Sequence, residues 1–445
     1  MAGNEVKSPL PGYDEALARV LAAVPRLGVE RVPLREALGR VLREDVMADR
    51  DQPPFDRSAM DGFAVRSDRV RAGVVYAVTG GVAAGGLPPV ASAADTGVIR
   101  IATGAPVPAP FDAVIPIELA EVVRDGNGER VTFRVGAEKV WMNVHRRAAD
   151  AKARDVVLRA GTVLGPQHIG IAAAVGAATL IVAQRPRITL LTTGDEVVPF
   201  ETATDALNPQ QIRNSNGPML TAFFAAIGAP ILEHVHVSDD PEETRAAARE
   251  ALSRSHLIVT NGGISAGQRD WLPWAWSKLG MGVVLKGAAI QPGRPVLVCS
   301  DAATSELDSQ SEISNLKSGI SNLKSQLAES PSKLVLGLPG NPVSVLATAH
   351  LFAWPVVRLM LMNDSAKAVL PWRSVPLAES TRASSKRQVF RAAALNRDGS
   401  AAVIHWHGSG DLMHTAAADG LVRLPVTEAP IEAGTIVDFL PLVHS

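Results

Sequence analysis

The stretch KLVLGLPGNPVSVLATAHLFAWPVVRLML (333–361) contains the clearest structural signal in the chain. Its first part is a short apolar run that ends in Pro and Gly, a pattern typical of a buried β-strand. A long apolar segment follows, and Pro342 suits the first turn of a helix because no N–H donor is needed there. We therefore predict a strand over 333–340, a tight turn, and a helix over 341–361.

The same alternation of strand and helix precedes this stretch. Elements of this length in this order are typical of a mainly parallel sheet that helices cover on both faces, which places this part of the chain in the α/β class. We predict strands in RITLLTTGDE (187–196), APILEHVHV (229–237), HLIVTNGG (256–263) and MGVVLKGAAI (281–290), and helices in SNGPMLTAFFAAIG (215–228), DDPEETRAAAREALSRS (239–255) and WLPWAWSKLG (271–280).

Outside this region the patterns change. Apolar residues at helical spacing predict helices in YDEALARVLAAV (13–24) and VPLREALGRVLREDV (32–46). A further helix is predicted in 154–176, with Pro166 near its start. Short strands between Gly and Pro turns predict a small all-β module over 74–145 and a C-terminal β-barrel after Pro371. The polar, Ser-rich stretch from Asp301 to Lys333 is predicted to be a mobile insertion without chemistry, with a short amphipathic hairpin as the alternative.

Composition excludes several classes of function. Lys and Arg number 44 against 45 for Asp and Glu, which argues against a nucleic-acid-binding protein because such proteins normally have a basic surplus. The single cysteine, Cys299, rules out internal disulfides and cysteine-based zinc or iron–sulfur sites. The N-terminus lacks the apolar core of a signal peptide, and the apolar stretch 169–183 is shorter than a membrane span. We expect a soluble, cytoplasmic protein with no nucleic-acid or membrane partner.

Parallel sheets bind ligands where their strands end, at the carboxyl edge. The first such end, TTGDEVVP (192–199), places Asp195 and Glu196 after a glycine turn, and adjacent carboxylates suit a hard cation such as Mg²⁺. A solvated acidic turn is the alternative. The second end, TNGGISAGQRDW (260–271), is a glycine loop whose main-chain N–H groups could approach a phosphate. Asp270 adds a carboxylate there or simply caps the next helix.

The third strand end, LPGNPVSV (338–345), contains Asn341 and Ser344. It is either an ordinary helix start or a second anion site at a positive helix end. Away from the sheet, Asp61 and Thr103 lie in loops that, taken alone, are more often turns than sites. The HWH tripeptide (405–407) is not expected to bind a metal because no third ligand is in view.

Seven of these stretches occur in one order along most of the chain. They are PPFDRSAMDGFAV (53–65), IATGAPVPAPFDAVIPIE (101–118), LLTTGDEVV (190–198), IRNSNGPML (212–220), TNGGISAGQRDW (260–271), IQPGRPV (290–296) and GLPGNPVSV (337–345). Together they resemble the MoeA family, the molybdopterin molybdenumtransferases that include the gephyrin E domain. One stretch alone is weak evidence, but the ordered set is highly specific.

The resemblance implies an elongated α/β multidomain protein. Its implied domains are an extended helical domain (1–50 with 146–185), a β domain (51–145), a MogA-like α/β domain (186–365) and a C-terminal β-barrel (366–445). It further implies a homodimer, with an active cleft between the α/β domain of one subunit and the β domain of the other. The implied reaction converts adenylylated molybdopterin and molybdate into molybdenum cofactor and AMP and requires Mg²⁺. The pterin dithiolene supplies the thiolates for the metal, which accords with the cysteine count.

The resemblance also assigns roles to residues, and it implies contact with the molybdopterin adenylyltransferase and with recipient molybdoenzymes. The residues that match catalytic positions are Asp61, Thr103, Glu196 and Asp270. The residues that match the acidic Mg²⁺ site are Glu196, Asp195 and, less closely, Asp240. The residues that match substrate-binding positions are Asn261, Gly262, Gly263, Ser265, Gly267, Lys286, Arg294, Gly340, Asn341, Pro342, Ser344, Arg391 and Ser409.

The chain departs from the family pattern in LKGAAIQPGRP (285–295). Gln291 stands where the family has a lysine, and Lys286 is one residue out of register. Loss of one positive charge would weaken anion binding by on the order of 1 kcal/mol or more, which Arg294 or Lys286 could offset. A molybdopterin-binding scaffold with impaired catalysis and a tungsten-inserting enzyme are therefore the alternatives. The related adenylyltransferase reaction is disfavoured because a stand-alone α/β domain performs it.

Overall fold

The computed structural model of the chain forms two compact units. Arg31–Val182 form one, here called the smaller unit, and Met1–Glu30 with Ala183–Ser445 form the other, the larger unit. The residues that the structure describes are 9–90, 96–126, 128–264, 270–302, 332–364, 366 and 368–443. The predicted insertion therefore lies almost entirely outside the described residues.

The helices and strands of the described residues are numbered in chain order. The α-helices are α1 (Tyr13–Ala22), α2 (Pro166–Ala174), α3 (Asn216–Ala226), α4 (Pro241–Arg254), α5 (Leu272–Lys278), α6 (Pro342–Thr348) and α7 (Trp354–Met362). The strands are β1 (Val29–Pro33), β2 (Val46–Met47), β3 (Arg57–Ser58), β4 (Gly62–Val65), β5 (Val75–Val82), β6 (Val98–Ile101), β7 (Ala113–Pro116), β8 (Ala120–Asp125), β9 (Gly128–Phe133), β10 (Val144–His145), β11 (Val156–Leu158), β12 (Thr179–Ala183), β13 (Ile188–Thr193), β14 (Val197–Val198), β15 (Ile212–Arg213), β16 (Glu233–Val237), β17 (Leu257–Asn261), β18 (Gly282–Lys286), β19 (Ile290–Gln291), β20 (Leu297–Ser300), β21 (Leu334–Leu338), β22 (Arg373–Pro376), β23 (Gln388–Leu395), β24 (Ala401–Val403), β25 (Gly420–Leu424) and β26 (Ile436–Pro441).

A six-stranded sheet forms the centre of the larger unit, in the order β16-β13-β17-β21-β20-β18. β13 pairs in parallel with β16 and β17, and β17 pairs in parallel with β21. β20 and β18 run antiparallel to their neighbours, so the predicted parallel sheet has an antiparallel edge. The register aligns Thr192 with Asn261 and Asn261 with Leu338, so three loops leave the sheet at one edge.

Helices cover both faces of this sheet, as the sequence predicts. Successive strand residues point to opposite faces, so each apolar strand contributes to two separate cores. One core contains Leu190, Val259 and Leu336 with residues of α1, α3, α6 and α7. The other contains Leu191, Ile258 and Val335 with residues of α4 and α5.

The helix predicted over 341–361 is present as one continuous helical segment, Pro342–Met362. It consists of α6, a π-helical turn at Ala349–Ala353 and α7. Within the part of the chain that the structure describes, this is the one helix long and apolar enough to cross a membrane. About two thirds of its most apolar window is buried (67%), and Phe352 and Val356 are fully buried in the core of the larger unit. Burial in a protein core accounts for its hydrophobicity, so it is weak evidence for a membrane span.

The first helix lies in the larger unit, whereas the prediction placed residues 1–50 in an extended domain. The Tyr13 ring is buried and packs edge-on against Phe352 and Phe390, with ring centroids 5.8 and 5.2 Å away. Edge-to-face aromatic pairs stabilise packing beyond the area that they bury. Because these partners are distant in sequence, no local pattern around α1 reveals where the helix packs.

A second β-structure is formed mainly by the C-terminal strands. Its strand order is β19-β23-β25-β26-β22, with β24 beside β23. An isolated parallel bridge between Leu377 and Ala401 connects the residue after β22 with the first residue of β24. Val389, Val422 and Phe439 lie in its core. The short-strand pattern after Pro371 thus predicts a β module correctly, and its closure into a barrel stays a prediction.

The smaller unit contains the predicted β module as a six-stranded sheet in the order β7-β4-β6-β5-β9-β8. Phe63 and Phe133 meet edge to face in its core, with ring centroids 5.7 Å apart. β4 lies inside the sheet, between β6 and β7. Because the loop before β4 contains Asp61, the pairing of this strand fixes the position of that aspartate.

The helix predicted over 32–46 is wrong. The segment instead contains the end of β1, a 3₁₀ turn at Leu34–Glu36 and β2. Val41 forms a β-bridge with Val163, and the adjacent Leu42 is buried in the same apolar cluster as Ala172 of α2. Partners distant in sequence therefore override the local helical spacing. Within 154–176, α2 begins at Pro166, where the sequence predicts the helix to start, and β11 precedes it.

Candidate active site

The carboxyl edge of the central sheet opens into a cavity of about 400 Å³ in the larger unit. The loops after β13, β17 and β21 surround it together with the start of α3. This volume is within the range of small-molecule sites in proteins. The sheet edge that the strand order predicts to bind a ligand is therefore concave and large enough to hold one.

A network of side-chain amides connects the loops around the cavity. Asn216 Nδ2 donates to Asn261 Oδ1 at 3.0 Å and to the Gly340 carbonyl at 2.7 Å. Asn261 Nδ2 donates in turn to the Pro339 carbonyl at 2.6 Å. The Oδ1 atom of Asn216 is buried without a hydrogen-bond partner among the described residues. Because buried polar atoms are normally paired, this oxygen is suited to accept an N–H group or to contact a cation of a bound molecule.

Three carboxylates line the cavity: Glu196, Asp239 and Asp270. Arg213 is the single cationic side chain among the described lining residues. Glu196 follows the turn at Gly194, which has a φ of +123°. A Cβ atom at Gly194 would lie 2.9 Å from Glu196 Oε1, so glycine leaves the space that this carboxylate occupies.

Two short parallel strands, β14 and β15, hold the acidic turn beside the start of α3. The Ile212 N–H donates to the Glu196 carbonyl and the Asn214 N–H to the Val198 carbonyl, both at 2.8 Å. Asn214 Oδ1 then accepts from the Gly217 N–H at 2.8 Å, in the first turn of α3. The acidic turn and the segment before α3 therefore form one wall of the cavity.

The other two acids predicted to hold Mg²⁺, Asp195 and Asp240, lie outside the cavity lining and have structural partners. Asp195 Oδ1 accepts from the Asp239 N–H at 3.1 Å. Asp240 is the N-cap of α4, and its Oδ1 accepts from the N–H groups of Glu242 and Glu243, both at 2.9 Å. This is the capping role that the residue type favours before a helix. Asp195 thus orients the main chain of a residue that lines the cavity.

The predicted substrate-binding residues divide into three groups. Those that line the cavity are Asn261, Gly262, Gly263, Gly340, Asn341 and Pro342. Those outside the lining are Lys286, Arg294, Ser344, Arg391 and Ser409. Ser265 and Gly267 lie outside the described residues. Gln291 is exposed and also lies outside the lining.

Two of the predicted residues that lie outside the lining make other contacts. Asn341 Nδ2 donates to Ser409 Oγ at 2.8 Å, and the Val343 N–H donates to the Ser409 carbonyl at 3.0 Å. The helix end predicted to be an anion site is thus partly satisfied by this carbonyl. The Arg391 guanidinium lies over the Trp406 ring, 5.4 Å from its centroid.

In the smaller unit, Asp61 and Thr103 form an exposed pair. The N–H and hydroxyl groups of Thr103 donate to Asp61 Oδ1 at 2.7 and 2.9 Å. These hydrogen bonds hold the pKa of Asp61 below its usual value, because they stabilise the charged form. Asp61 is therefore a carboxylate at neutral pH.

Sequence reasoning did not select several residues of the cavity, among them Arg213, Asn214, Asn216 and Asp239. A signal was present in the run of polar residues immediately before a predicted helix, in IRNSN (212–216). Asp239 could not be told apart from its neighbour, because either residue satisfies the pattern of a helix cap.

The donor set around the cavity fits a hard divalent cation. Carboxylate and amide oxygens are the ligands that Mg²⁺ prefers, and Glu196, Asp239, Asp270 and Asn216 offer both kinds. The chain's one thiol, Cys299, is by contrast unsuited to bind a metal ion. Burial raises the pKa of Cys299 to about 12, so this residue is a neutral thiol and not a metal-binding thiolate.

Comparison with known proteins finds three matching family profiles. "MoeA N-terminal region (domain I and II)" matches residues 12–176. "Probable molybdopterin binding domain" matches residues 189–359, which include every described residue that lines the cavity. "MoeA C-terminal region (domain IV)" matches residues 374–442.

Whole-chain relatives agree with these matches. The molybdopterin molybdenumtransferase of Synechococcus elongatus is 34% identical over 435 residues, covering 96% of this chain and 98% of that protein. The enzyme of the same name from Bacillus subtilis is 29% identical and covers 98% of this chain and 95% of that protein. Among solved structures, a molybdopterin biosynthesis MoeA protein of Pyrococcus horikoshii is similar with a TM-score of 0.75 and 26% identity, covering 98% of this chain and 99% of that one.

Proposed function

This chain belongs to the MoeA family and is a molybdopterin molybdenumtransferase of molybdenum cofactor biosynthesis, and we propose that its substrates are adenylylated molybdopterin and molybdate. The products are molybdenum cofactor and AMP. Water cleaves the phosphoanhydride bond between the pterin phosphate and AMP. The two dithiolene sulfurs of the pterin become ligands of molybdenum, and one oxo group of molybdate leaves as water with the two thiol protons. Since Cys299 is a buried, neutral thiol, the sulfur ligands come from the substrate.

The observation that supports this proposal most is the combination of groups around one cavity. Glycine-rich turns after β17 and β21 bring the main chain to its surface, where Gly262 has a φ of +83°. Such turns allow close approach of a phosphate or another oxyanion. Three carboxylates line the same cavity against one cationic side chain, Arg213, so a bound cation would offset their repulsion of that anion.

We propose that this cation is Mg²⁺ and that Glu196, Asp239 and Asp270 hold it. A bound Mg²⁺ offsets the negative charge that develops on phosphate oxygens as the bond to AMP breaks. The protein's own contribution is to position these carboxylates, Glu196 through β14 and β15 and Asp239 through its N–H bond to Asp195. Asn216 Oδ1 is placed to accept an N–H group of the pterin or its nucleotide.

Release of AMP tests the proposal directly. Purified chain with Mg²⁺, molybdate and adenylylated molybdopterin should form AMP at a rate that rises with molybdate and falls to background when Mg²⁺ is chelated. Chromatographic detection of AMP measures this rate. AMP formation no faster than in the control without protein would contradict the proposal.

The alternative of a binding scaffold rests on Gln291, and the position of that residue disfavours it. This residue lies outside the cavity lining, while the carboxylates that chemistry requires line the cavity. Tight pterin binding without AMP release would support the scaffold. Tungsten insertion is distinguished in the same assay by substituting tungstate for molybdate.

We also propose a homodimer in which Asp61 and Thr103 of one subunit act in the reaction of the other. The pair is exposed, and its carboxylate is ionised at neutral pH. Variants Asp61→Asn and Glu196→Gln should each be inactive alone. Subunit exchange between them should restore about a quarter of wild-type activity, because half of the dimers are mixed and each mixed dimer has one intact site. If mixed dimers form but AMP release stays at the level of the single variants, the shared site is contradicted.

We propose that this enzyme is cytoplasmic. We also propose that it acts between two other kinds of protein in the reaction sequence. The molybdopterin adenylyltransferase reaction must supply its nucleotide-linked substrate, and recipient molybdoenzymes must take up its product. We propose direct contact with both, since an unprotected dithiolene is readily oxidised in water.

A further inference from the structure

Three side chains of the C-terminal β-structure lie close together and are not part of the cavity lining: His407, Asp411 and His414. Each offers a ligand atom that lies within 4.8 Å of the other two, and no other such group of three occurs in the described part of the chain. His407 Nδ1 is 3.1 Å from Asp411 Oδ2, and His414 Nδ1 is 2.7 Å from Asp411 Oδ1. They lie in the segment between β24 and β25.

The sequence predicts no metal at HWH because no third ligand is in view, and this arrangement supplies further ligand atoms beside His407. The tripeptide lies after the end of β24, so strand alternation does not govern where its side chains point. The chain turns back at Gly408, and a 3₁₀ helix, Met413–Ala417, begins beyond it. The turn brings His407 next to Asp411, the start of the 3₁₀ helix places His414 beside the same carboxylate, and His405 remains outside the cluster.

The carboxylate at the centre of the cluster is preorganised. The Asp411 side chain is 15% exposed, and its Oδ2 accepts from the His407 N–H at 2.9 Å. The imidazoles are accessible, with side-chain exposures of 86% for His407 and 50% for His414. An ion from solvent can therefore reach all three ligands without opening the fold.

Two imidazoles and one carboxylate are ligands of the borderline transition metals, whereas Mg²⁺ prefers oxygen alone. The N···O separations of 3.1 and 2.7 Å are hydrogen-bond distances. Neighbouring ligands of an ion with bonds of about 2.1 Å are about 3.0–3.4 Å apart, so an ion would replace these hydrogen bonds after a small shift of the side chains. We propose that His407, Asp411 and His414 bind one divalent transition-metal ion of the Zn²⁺ class. This site is separate from molybdenum transfer and from the carboxylates of the cavity.

An ion bound at the cluster would affect the neighbouring segment that contains Ser409. Ser409 lies between two of the ligands in sequence, and its hydroxyl and carbonyl accept hydrogen bonds from Asn341 and the Val343 N–H. Asn341 lines the cavity. A bound ion would therefore restrain the segment that contacts this part of the cavity rim.

Titration calorimetry of the full chain, without an affinity tag, tests the site with Zn²⁺. Excess Mg²⁺ is present so that it occupies the carboxylates of the cavity. We expect one Zn²⁺ per chain, with affinity at least about tenfold weaker in His407→Ala and His414→Ala. His405→Ala is the matched control, since this neighbouring histidine is 96% exposed and outside the cluster. His234→Ala tests the competing pair His234 and His236, which share contact with Thr192.

Hydrogen exchange of residues 405–415 supplies a second measurement. Zn²⁺ should slow exchange there in the wild type and in His405→Ala but not in His414→Ala. Thermal melting without metal should be alike for all the histidine variants. Absence of Zn²⁺ binding at about 100 μM, equal binding by His414→Ala, or loss of the ion in His234→Ala would each overturn the proposal.

Discussion

Replacing Glu196 by Gln is expected to lower Mg²⁺-dependent AMP release by about a hundredfold or more, because it removes a charged oxygen from the proposed cation site without changing the shape of the side chain. The residue lines the cavity and is held by pairing of β14 with β15, which involves the main chain only. Folding should therefore be unaffected. AMP release measured across Mg²⁺ concentrations, with thermal melting alongside, checks both statements.

Two control variants make this prediction specific. Glu201→Gln removes an exposed carboxylate outside the cavity lining and should leave both AMP release and its Mg²⁺ dependence unchanged. Asp240→Ala removes the N-cap of α4 and should lower the free energy of unfolding by about 1 kcal/mol while Mg²⁺ dependence persists. Wild-type turnover by the Glu196 variant would remove this residue from the mechanism. Loss of Mg²⁺ dependence in the Asp240 variant would instead make that residue a ligand.

Replacing Gly62 by Ala is expected to destabilise the smaller unit by about 3 kcal/mol or more, because a Cβ atom has no space there. That atom would lie 2.0 Å from the Ile115 carbonyl oxygen and 3.0 Å from Pro116 Cα. Both neighbours are main chain in β7, which pairs with β4, so relief requires separation of the strands. Asp61 immediately precedes this strand, so the variant should also lose AMP release.

Gly170→Ala is the matched control in the same unit. Gly170 lies inside α2, and nothing is within 4 Å of the Cβ position that alanine would occupy. Since glycine is a poor helix former, this variant should gain about 0.5–1 kcal/mol. Thermal melting compares the two variants, and hydrogen exchange over β4 shows which strands open. A Gly62 variant as stable as the wild type would mean that β4 and β7 tolerate a wider separation than their pairing indicates.

The elements of the α/β region were predictable to within a few residues. The strands β13, β17 and β21 and the helix α4 have apolar patterns whose length and period specify the element, and Pro and Gly mark their ends. Asn341, Gly262 and Glu196 were found because ligand sites follow the carboxyl ends of such strands. The helix predicted over 32–46 failed because its apolar residues bind partners contributed by distant segments.

The sequence alone determined most of the alternating strands and helices over 187–361, the family of the chain and the three strand ends that meet at the cavity, because these depend on local periodicity and on ordered motifs. Tertiary structure alone decided which of two adjacent aspartates lines the cavity and which caps α4, because both roles suit the same residue type. It also decided that His407 meets Asp411 and His414, and that Asn216 lies against Asn261. Such contacts depend on the path of the main chain between residues, which side-chain composition does not encode locally.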